Sequence, residues 1–164
     1  HAVLIRAFAQ CNLENARLLL AGEGETLPYC KKLARELNIA DKVRFPGHVT
    51  NIFDVFQISD IVVSTSTSEG LPFNIMEGMY CSRPILASNI KGHRDLVEHS
   101  KNGFLFDQHD IKELTRYITY LYNTENIQLG NMGASSRLKV EPFLLHNVFN
   151  NNFQLISETA YERR

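Results

Sequence analysis

The chain has 164 residues, with 17 lysines and arginines against 18 aspartates and glutamates, which gives a formal net charge of −1. Without a basic excess, binding to nucleic acid through attraction to its phosphates is excluded. Hydrophobic residues make up 44% and charged residues 21% of the chain, a composition typical of folded domains rather than disordered segments. The length suits one domain with a sizeable core, and we take residues 1–164 as that domain.

The elements expected along the chain alternate between short apolar strands and amphipathic helices. In order they are helix 2–10, strand 17–21, helix 27–37, strand 43–45, helix 52–58, strand 61–64, helix 73–80, strand 84–87, helix 92–98, strand 104–106, helix 111–123, helix 127–139 and a C-terminal helical segment at 143–164. Strands that are apolar on both faces and alternate with helices predict a parallel sheet covered on both sides. The expected fold class is therefore α/β with a doubly wound parallel sheet.

The three cysteines, Cys11, Cys30 and Cys81, are an odd number without a close pair. This pattern predicts neither a disulfide framework nor a zinc site, and it favours the reducing cytoplasm. No apolar run reaches the ~18 residues that a membrane span requires. We therefore expect a cytoplasmic protein without a transmembrane segment.

Ligands of doubly wound sheets bind beyond the carboxyl ends of the strands, so the loops after these ends are the candidate sites. The first is Gly22-Glu23-Gly24, which lacks the third glycine of a dinucleotide fingerprint because Leu27 occupies that position. By itself it favours a tight turn from strand to helix. The alternative is a backbone that closely approaches a flat or phosphorylated ligand.

The loop after the strand 61–64 carries the most chemistry. Residues 64–79 read STSTSEGLPFNIMEGM and combine hydroxyl groups, a flexible Gly70, a helix start near Pro72 and two carboxylates, Glu69 and Glu77. Free N–H groups at a helix start favour an anion, and carboxylates accept hydrogen bonds from neighbouring sugar hydroxyls. The helix dipole is expected to keep a glutamate there ionised, which suits hydroxyl binding better than proton donation. The alternative is a capped helix with a solvated Glu77.

Histidines supply weaker candidates. His48 follows the strand 43–45, where a lone histidine is either a ligand contact or a surface residue. His93 and Arg94 open the helix after the strand 84–87, where they either face the same cleft or form a solvated helix start. None of the remaining histidines has metal-ligand spacing with another histidine or a cysteine.

Residues 69–79 resemble the E-x7-E motif of retaining GT-B glycosyltransferases, the group 1 family. The neighbouring segments match the family's strands and turns in the same order, at residues 18–24, 43–47, 59–64, 84–88 and 102–105. The resemblance extends from about residue 2 to about residue 122. It implies a Rossmann-like, nucleotide-sugar-binding C-terminal half of a GT-B fold.

The resemblance also implies roles for individual residues. Glu69 would act as the catalytic group, contacting the donor sugar or the positive charge that develops on it, and Glu77 would hold the ribose hydroxyls. The N–H groups expected to bind sugar hydroxyls and diphosphate are those of Gly70, Leu71, Phe73 and Asn74. The loops expected to line the base pocket contain Gly22, Gly24, His48 and Val49. Neither a metal ion nor a cofactor is expected, because the family neutralises the diphosphate with helix N-termini and a basic pair.

One part of the family pattern is absent from the printed sequence. The basic pair, an arginine followed by a lysine, aligns before His1, as does the first strand of the family's order 3-2-1-4-5-6. We therefore expect the family's second and fourth strands, here 17–21 and 61–64, not to pair with each other. They would flank either a gap or a strand supplied by another segment or chain. The N-terminal acceptor domain is expected to be missing as well, and with it any peripheral contact with a membrane. The chain alone is then expected to be inactive.

The resemblance implies transfer of a sugar from a nucleotide-diphosphate donor to a saccharide or lipid-linked acceptor, as in polysaccharide biosynthesis. Two other classes remain open. One is a nucleotide-sugar epimerase or a phosphorylase on the same architecture, although a phosphorylase needs a cofactor lysine that no candidate loop supplies. The other is a non-enzymatic α/β interaction module in which both glutamates are solvated.

Overall fold

A computed structural model describes residues 1–144, in which parallel strands alternate with helices. The strands are β1 (Leu18–Ala21), β2 (Val43–Gly47), β3 (Val62–Ser64), β4 (Ile85–Ser88) and β5 (Gly103–Phe106). The helices are α1 (Ala2–Cys11), α2 (Leu27–Glu36), α3 (Ile52–Ile58), α4 (Phe73–Tyr80), α5 (Lys91–Arg94), α6 (Ile111–Tyr122) and α7 (Asn126–Val140), followed by a 3-10 turn at Glu141–Phe143. The predicted order of elements is confirmed as far as residue 144. The predicted helical segment at 143–164 lies almost entirely outside the described residues.

The strands form two parallel sheets. β1 pairs with β2, with Leu18 opposite Val43. β3, β4 and β5 form a second sheet in that order, in which Ile85 lies opposite both Val62 and Gly103. Within residues 1–144, β1 and β3 belong to different sheets, so the prediction that they do not pair with each other is confirmed. In each sheet the parallel strands bring their carboxyl ends to the same edge.

Helices cover both faces of the three-stranded sheet. Along β4, Ile85 and Ala87 pack into one buried cluster with residues of α3, α4 and α7, whereas Leu86 packs into a second cluster with residues of α1, α2 and α6. Successive side chains of a strand point to opposite faces, so this division shows that both faces of β4 are buried. The prediction of a doubly wound α/β fold is confirmed.

One local expectation is wrong. The helix expected at 92–98 is a single turn, Lys91–Arg94, and at the end of this segment the side chain of Asn102 accepts the N–H of Glu98 at 2.7 Å. Asn51 precedes α3, but its side chain donates to Asp54 Oδ1 at 2.9 Å rather than capping an N–H group. Among the described residues, no helix is long and apolar enough to cross a bilayer.

Candidate active site at the carboxyl ends of the strands

The loops after β1 and β2 meet through their backbones. We call residues 22–24 and 47–49 together the glycine loops. The N–H of Gly22 donates to the carbonyl of Gly47 at 2.7 Å. Gly22 has φ +117° and Gly47 has φ +77°, in the left-handed region that favours glycine. The predicted positions Gly22 and Gly24 line a hollow of about 60 Å³ beside Phe45, so the structure brings this part of the predicted site together.

The remaining predicted residues of the glycine loops differ in exposure. His48 is exposed and Val49 is half-buried. No hydrogen bond of the His48 ring to another described residue is observed. The backbone therefore determines the shape of this end of the site.

The loop after β3, residues 65–72, is held by side chains, and we call it the hydroxyl loop. Ser66 Oγ donates to Glu69 Oε1 at 2.8 Å and lies 3.4 Å from Ser64 Oγ. Glu69 is half-buried, so this bond restricts the orientation of its carboxylate. Glu69 Oε2 accepts no hydrogen bond from residues 1–144, which leaves an oxygen that a ligand hydroxyl can approach.

Helix α4 begins directly after the hydroxyl loop, with Pro72 at its N-cap. The N–H groups of Gly70, Leu71, Phe73 and Asn74 donate no hydrogen bond to any described residue. The Asn74 side chain accepts the N–H of Ile75 at 2.9 Å, so it does not cap the first turn. Unpaired N–H groups at a helix N-terminus attract anions. The predicted anion-binding groups are therefore adjacent to one another.

Glu77 is the fifth residue of α4 and is half-buried. Burial raises its pKa above the ordinary value. The cause is desolvation, and the helix dipole does not offset it, because the dipole acts on the first turn and Glu77 lies beyond that turn. The carboxyl group still offers two oxygens to hydroxyl donors.

His93 is fully buried, so the interpretation of a solvated helix start is wrong. Its Nδ1 lies 2.8 Å from the carbonyl oxygen of Ser88 and 3.1 Å from Ser88 Oγ. Ser88 Oγ in turn donates to the carbonyl oxygen of Ser66. Burial lowers the pKa of His93, and the Glu69 carboxylate partly offsets this effect. The structure thus joins α5 to the hydroxyl loop.

Sequence reasoning did not single out Ser66 or Ser88 as site residues. The hydroxyl-rich composition was the available signal for Ser66, and the position after the predicted strand 84–87 was the signal for Ser88. Arg94, the other candidate at this helix start, donates from one guanidinium nitrogen to the backbone and side-chain oxygens of Asn89, each at 3.2 Å.

The structure also has a cavity that lies apart from this edge. A cavity of about 560 Å³ between α6 and α7 includes Phe104, Tyr117 and Tyr120 in its lining, near the amino end of β5 and therefore away from the loops described above. Residues 1–144 contain no cluster of three or more His, Cys, Asp or Glu side chains that could hold a metal ion.

The chain matches the family model for group 1 glycosyl transferases over residues 1–138. It is 33% identical over 147 residues to an uncharacterized glycosyltransferase of Haemophilus influenzae, an alignment that covers 89% of this chain and 40% of that protein. It is 31% identical over 117 residues to the poly(ribitol-phosphate) alpha-N-acetylglucosaminyltransferase of Staphylococcus aureus, covering 71% of this chain and 24% of that protein. The chain thus spans well under half the length of these relatives.

Solved structures show the same fold. Anabaena HepE, crystallised with UDP and glucose, superposes with a TM-score of 0.82 at 26% identity, over 98% of this chain and 44% of HepE. A variant of TarM from S. aureus, in a complex that includes UDP, superposes with a TM-score of 0.84 at 25% identity, over 93% of this chain and 32% of TarM. The chain therefore belongs to the group 1 glycosyltransferase family and has the Rossmann-like fold of one half of a GT-B enzyme.

Proposed function

We propose that this chain binds the nucleotide-diphosphate sugar donor of a retaining glycosyltransferase, which transfers the sugar to a saccharide or lipid-linked acceptor. The observation that carries the proposal is that free N–H groups at the start of α4 lie next to the Glu69 carboxylate in the same loop. Ser66 orients that carboxylate through a hydrogen bond. Both lie after the carboxyl end of β3, where ligands of such sheets bind. HepE and TarM, which share the fold, were crystallised with UDP.

The proposed roles follow the chemistry of each group. The N–H groups of Gly70, Leu71, Phe73 and Asn74 bind the diphosphate and the sugar hydroxyls, because they point a partial positive charge away from the helix. Glu69 contacts the donor sugar and stabilises the oxocarbenium-like charge that develops as the bond to the leaving diphosphate breaks. Glu77 accepts hydrogen bonds from the ribose hydroxyls.

The glycine loops provide the nucleotide end of the proposed site. Gly22 and Gly24 have no side chain to keep a flat base away from the backbone. In this proposal, the segment that contains His48 and Val49 forms the other side of the base pocket. The hollow lined by Gly22, Gly24 and Phe45 supports the assignment of the base to the neighbourhood of β1 and β2.

We further propose that donor binding requires no metal ion and no cofactor. In this scheme the diphosphate charge is met by N–H groups and the helix dipole. The free cysteines Cys11, Cys30 and Cys81 support a reducing, cytoplasmic location. We propose that the enzyme acts in polysaccharide biosynthesis.

The chain covers 40% of the H. influenzae relative and 44% of HepE. We therefore propose that the acceptor is bound by a further, N-terminal domain, which would also make any peripheral membrane contact. Residues 1–164 alone would then bind donor without transferring its sugar.

The proposal is tested by NMR titration of the chain with UDP, GDP and ADP, a method that also detects millimolar affinities. We expect one of these nucleotides to bind. Glu77→Gln should weaken that binding about tenfold, the equivalent of one charge-assisted hydrogen bond, since the amide replaces a carboxylate oxygen by a donor group. Glu14→Gln is the matched control, because Glu14 is exposed in the loop before β1, at the opposite edge of the sheet.

Binding of none of the three nucleotides would contradict the proposal and favour the interaction module. Equal affinity of the wild type and Glu77→Gln would contradict the role of Glu77. In the enzyme that includes the acceptor domain, Glu69→Gln should chiefly lower turnover and leave the affinity for the nucleotide unchanged.

A further inference from the structure

His93 is an unusual buried residue because one of its two ring nitrogens has no partner. The carbonyl oxygen of Ser88 can only accept a hydrogen bond, so the Nδ1 atom 2.8 Å away carries the proton. The ring is then neutral, in keeping with burial that lowers its pKa. Its Nε2 atom carries a lone pair that is buried and accepts no hydrogen bond from residues 1–144.

An unpaired buried acceptor costs about 1–3 kcal/mol. A residue that only filled space, such as leucine, would avoid this cost. The presence of histidine here therefore requires an explanation, and the Nδ1 proton supplies one. Of the two ring nitrogens of His93, only Nδ1 makes a polar contact with the described part of the chain.

This proton begins a sequence of hydrogen bonds that ends at Glu69. Nδ1 binds Ser88, Ser88 Oγ donates to the Ser66 carbonyl, and Ser66 Oγ donates to Glu69 Oε1 at 2.8 Å. The connected residues come from the end of β4, from α5 and from the hydroxyl loop. Their arrangement fixes both the backbone of Ser66 and the carboxylate of Glu69.

The main chain of α5 provides a second restraint on the same loop. A Cβ atom at Gly92 would lie 2.5 Å from the carbonyl oxygen of Glu69, so the two backbones touch at this point. Gly92 and His93 are both buried. The short helix α5 therefore supports Glu69 in two ways, through the backbone at Gly92 and through the side chain of His93.

We propose that His93 is a positioning residue that holds the Glu69 carboxylate, through Ser88 and Ser66, in the orientation needed to meet the sugar of the donor. The inference rests on the proposed function, because it concerns the sugar end of the same site. His93 does not touch the donor in this scheme. Removing its Nδ1 donor should therefore weaken recognition of the sugar and leave binding of the nucleotide unchanged.

The test compares the wild type with His93→Leu, which fills the space without a donor, and His93→Asn, whose amide N–H takes the place of Nδ1–H. Dissociation constants for UDP, UDP-glucose and UDP-N-acetylglucosamine are measured on the chain by NMR titration. We expect the ratio Kd(UDP)/Kd(UDP-sugar) to fall about tenfold in His93→Leu with the Kd of UDP unchanged, and to be largely restored in His93→Asn.

An unchanged ratio in His93→Leu would overturn the inference, as would an equal loss of affinity for UDP and for the UDP-sugars, which indicates a purely structural role. If His93→Leu does not fold, Ser66→Ala takes its place, with Ser68→Ala in the same loop as the control. Ser66→Ala should lower the ratio, and its failure to do so would overturn the inference. If the wild type binds nucleotides but the His93 substitutions leave the ratio of dissociation constants unchanged, only this inference is refuted. If the wild type binds no nucleotide, the proposed function and this inference are refuted together.

Discussion

The glycine loops and the hydroxyl loop lie at equivalent edges of the two sheets but are built in different ways. The glycine loops are joined by one backbone hydrogen bond, from Gly22 to Gly47, and most of their residues are exposed. The hydroxyl loop is tied to β4 and α5 by side-chain hydrogen bonds of Ser66, Ser88 and His93. Backbone shape thus defines one end of the site and side-chain chemistry defines the other.

This difference indicates where substitutions should matter. A loop that depends on buried side chains and close backbone contacts tolerates little change in volume, because protein interiors are densely packed. A loop that depends on exposed backbone tolerates a methyl group wherever φ allows it.

The largest effect is expected at the base of the three-stranded sheet. A Cβ atom at Gly103 would overlap the carbonyl oxygen of Ile85, so Gly103→Ala must separate β4 from β5. We expect the free energy of unfolding to fall by about 3 kcal/mol or more in urea denaturation. Gly130→Ala in α7 is the control, because it has open space around it and should change stability by no more than about 1 kcal/mol, in the stabilising direction. Equal stability of the two variants would show that β5 does not support this sheet.

A smaller effect is expected where α5 touches the hydroxyl loop. Gly92→Ala places a methyl group 2.5 Å from the Glu69 carbonyl oxygen and should lower the free energy of unfolding by about 1–3 kcal/mol. Gly24→Ala is the matched change in the glycine loops, where nothing lies within 4 Å, and it should be nearly neutral. Thermal denaturation measures both. If Gly24→Ala destabilised the protein as much as Gly92→Ala, the two regions would not differ in their tolerance of an added methyl group.

An acid-dependent effect is expected outside both regions, at Glu98. Lys101 and Lys139 donate hydrogen bonds to its carboxylate and lower its pKa to about 2. A depressed pKa means that the native state binds fewer protons than the unfolded state, so this stabilisation is present above the ordinary pKa and is lost as the pH falls toward about 2. Glu98→Gln should flatten the decline in stability below pH ~4.5 in acid titrations followed by circular dichroism. An unchanged decline would show that these exposed ion pairs do not stabilise the fold.

The smallest effect is expected at Glu77, with the opposite sign. Burial raises its pKa, so the native state binds more protons than the unfolded state and stability falls as the pH rises through this raised value. Glu77→Gln should remove that fall, a change of less than about 1 kcal/mol for a partly exposed group. Urea denaturation at several pH values measures it, with Glu14→Gln as the control. A loss of stability in Glu77→Gln above the ordinary pKa would contradict the assigned direction.

Local sequence patterns predicted the elements well. Apolar runs identified β1, β3 and β4 to within one residue at every end, and the helix 73–80 was predicted with its observed bounds. These features depend on neighbours in the sequence, so periodicity and breakers are sufficient to find them. The glycine turn after β1 was predictable for the same reason.

The sequence failed where a distant residue decides the outcome. It did not show that surrounding elements partly bury Glu77 and thereby raise its pKa. It left His93 as either a cleft residue or a solvated one, since a single histidine carries no pattern that reveals its burial.

By itself, then, the sequence determined the order of the elements, the doubly wound class and the loops in which ligand-binding groups lie, because these follow from short-range apolar spacing and the properties of glycine and proline. The tertiary structure alone decided which side chains meet. It placed β1 and β3 in different sheets. It also brought Gly92 against Glu69 and linked His93 through Ser88 to Ser66, and these contacts join residues of different elements. Such contacts exist only when helices and strands pack together, and they orient the carboxylate on which the proposed function depends.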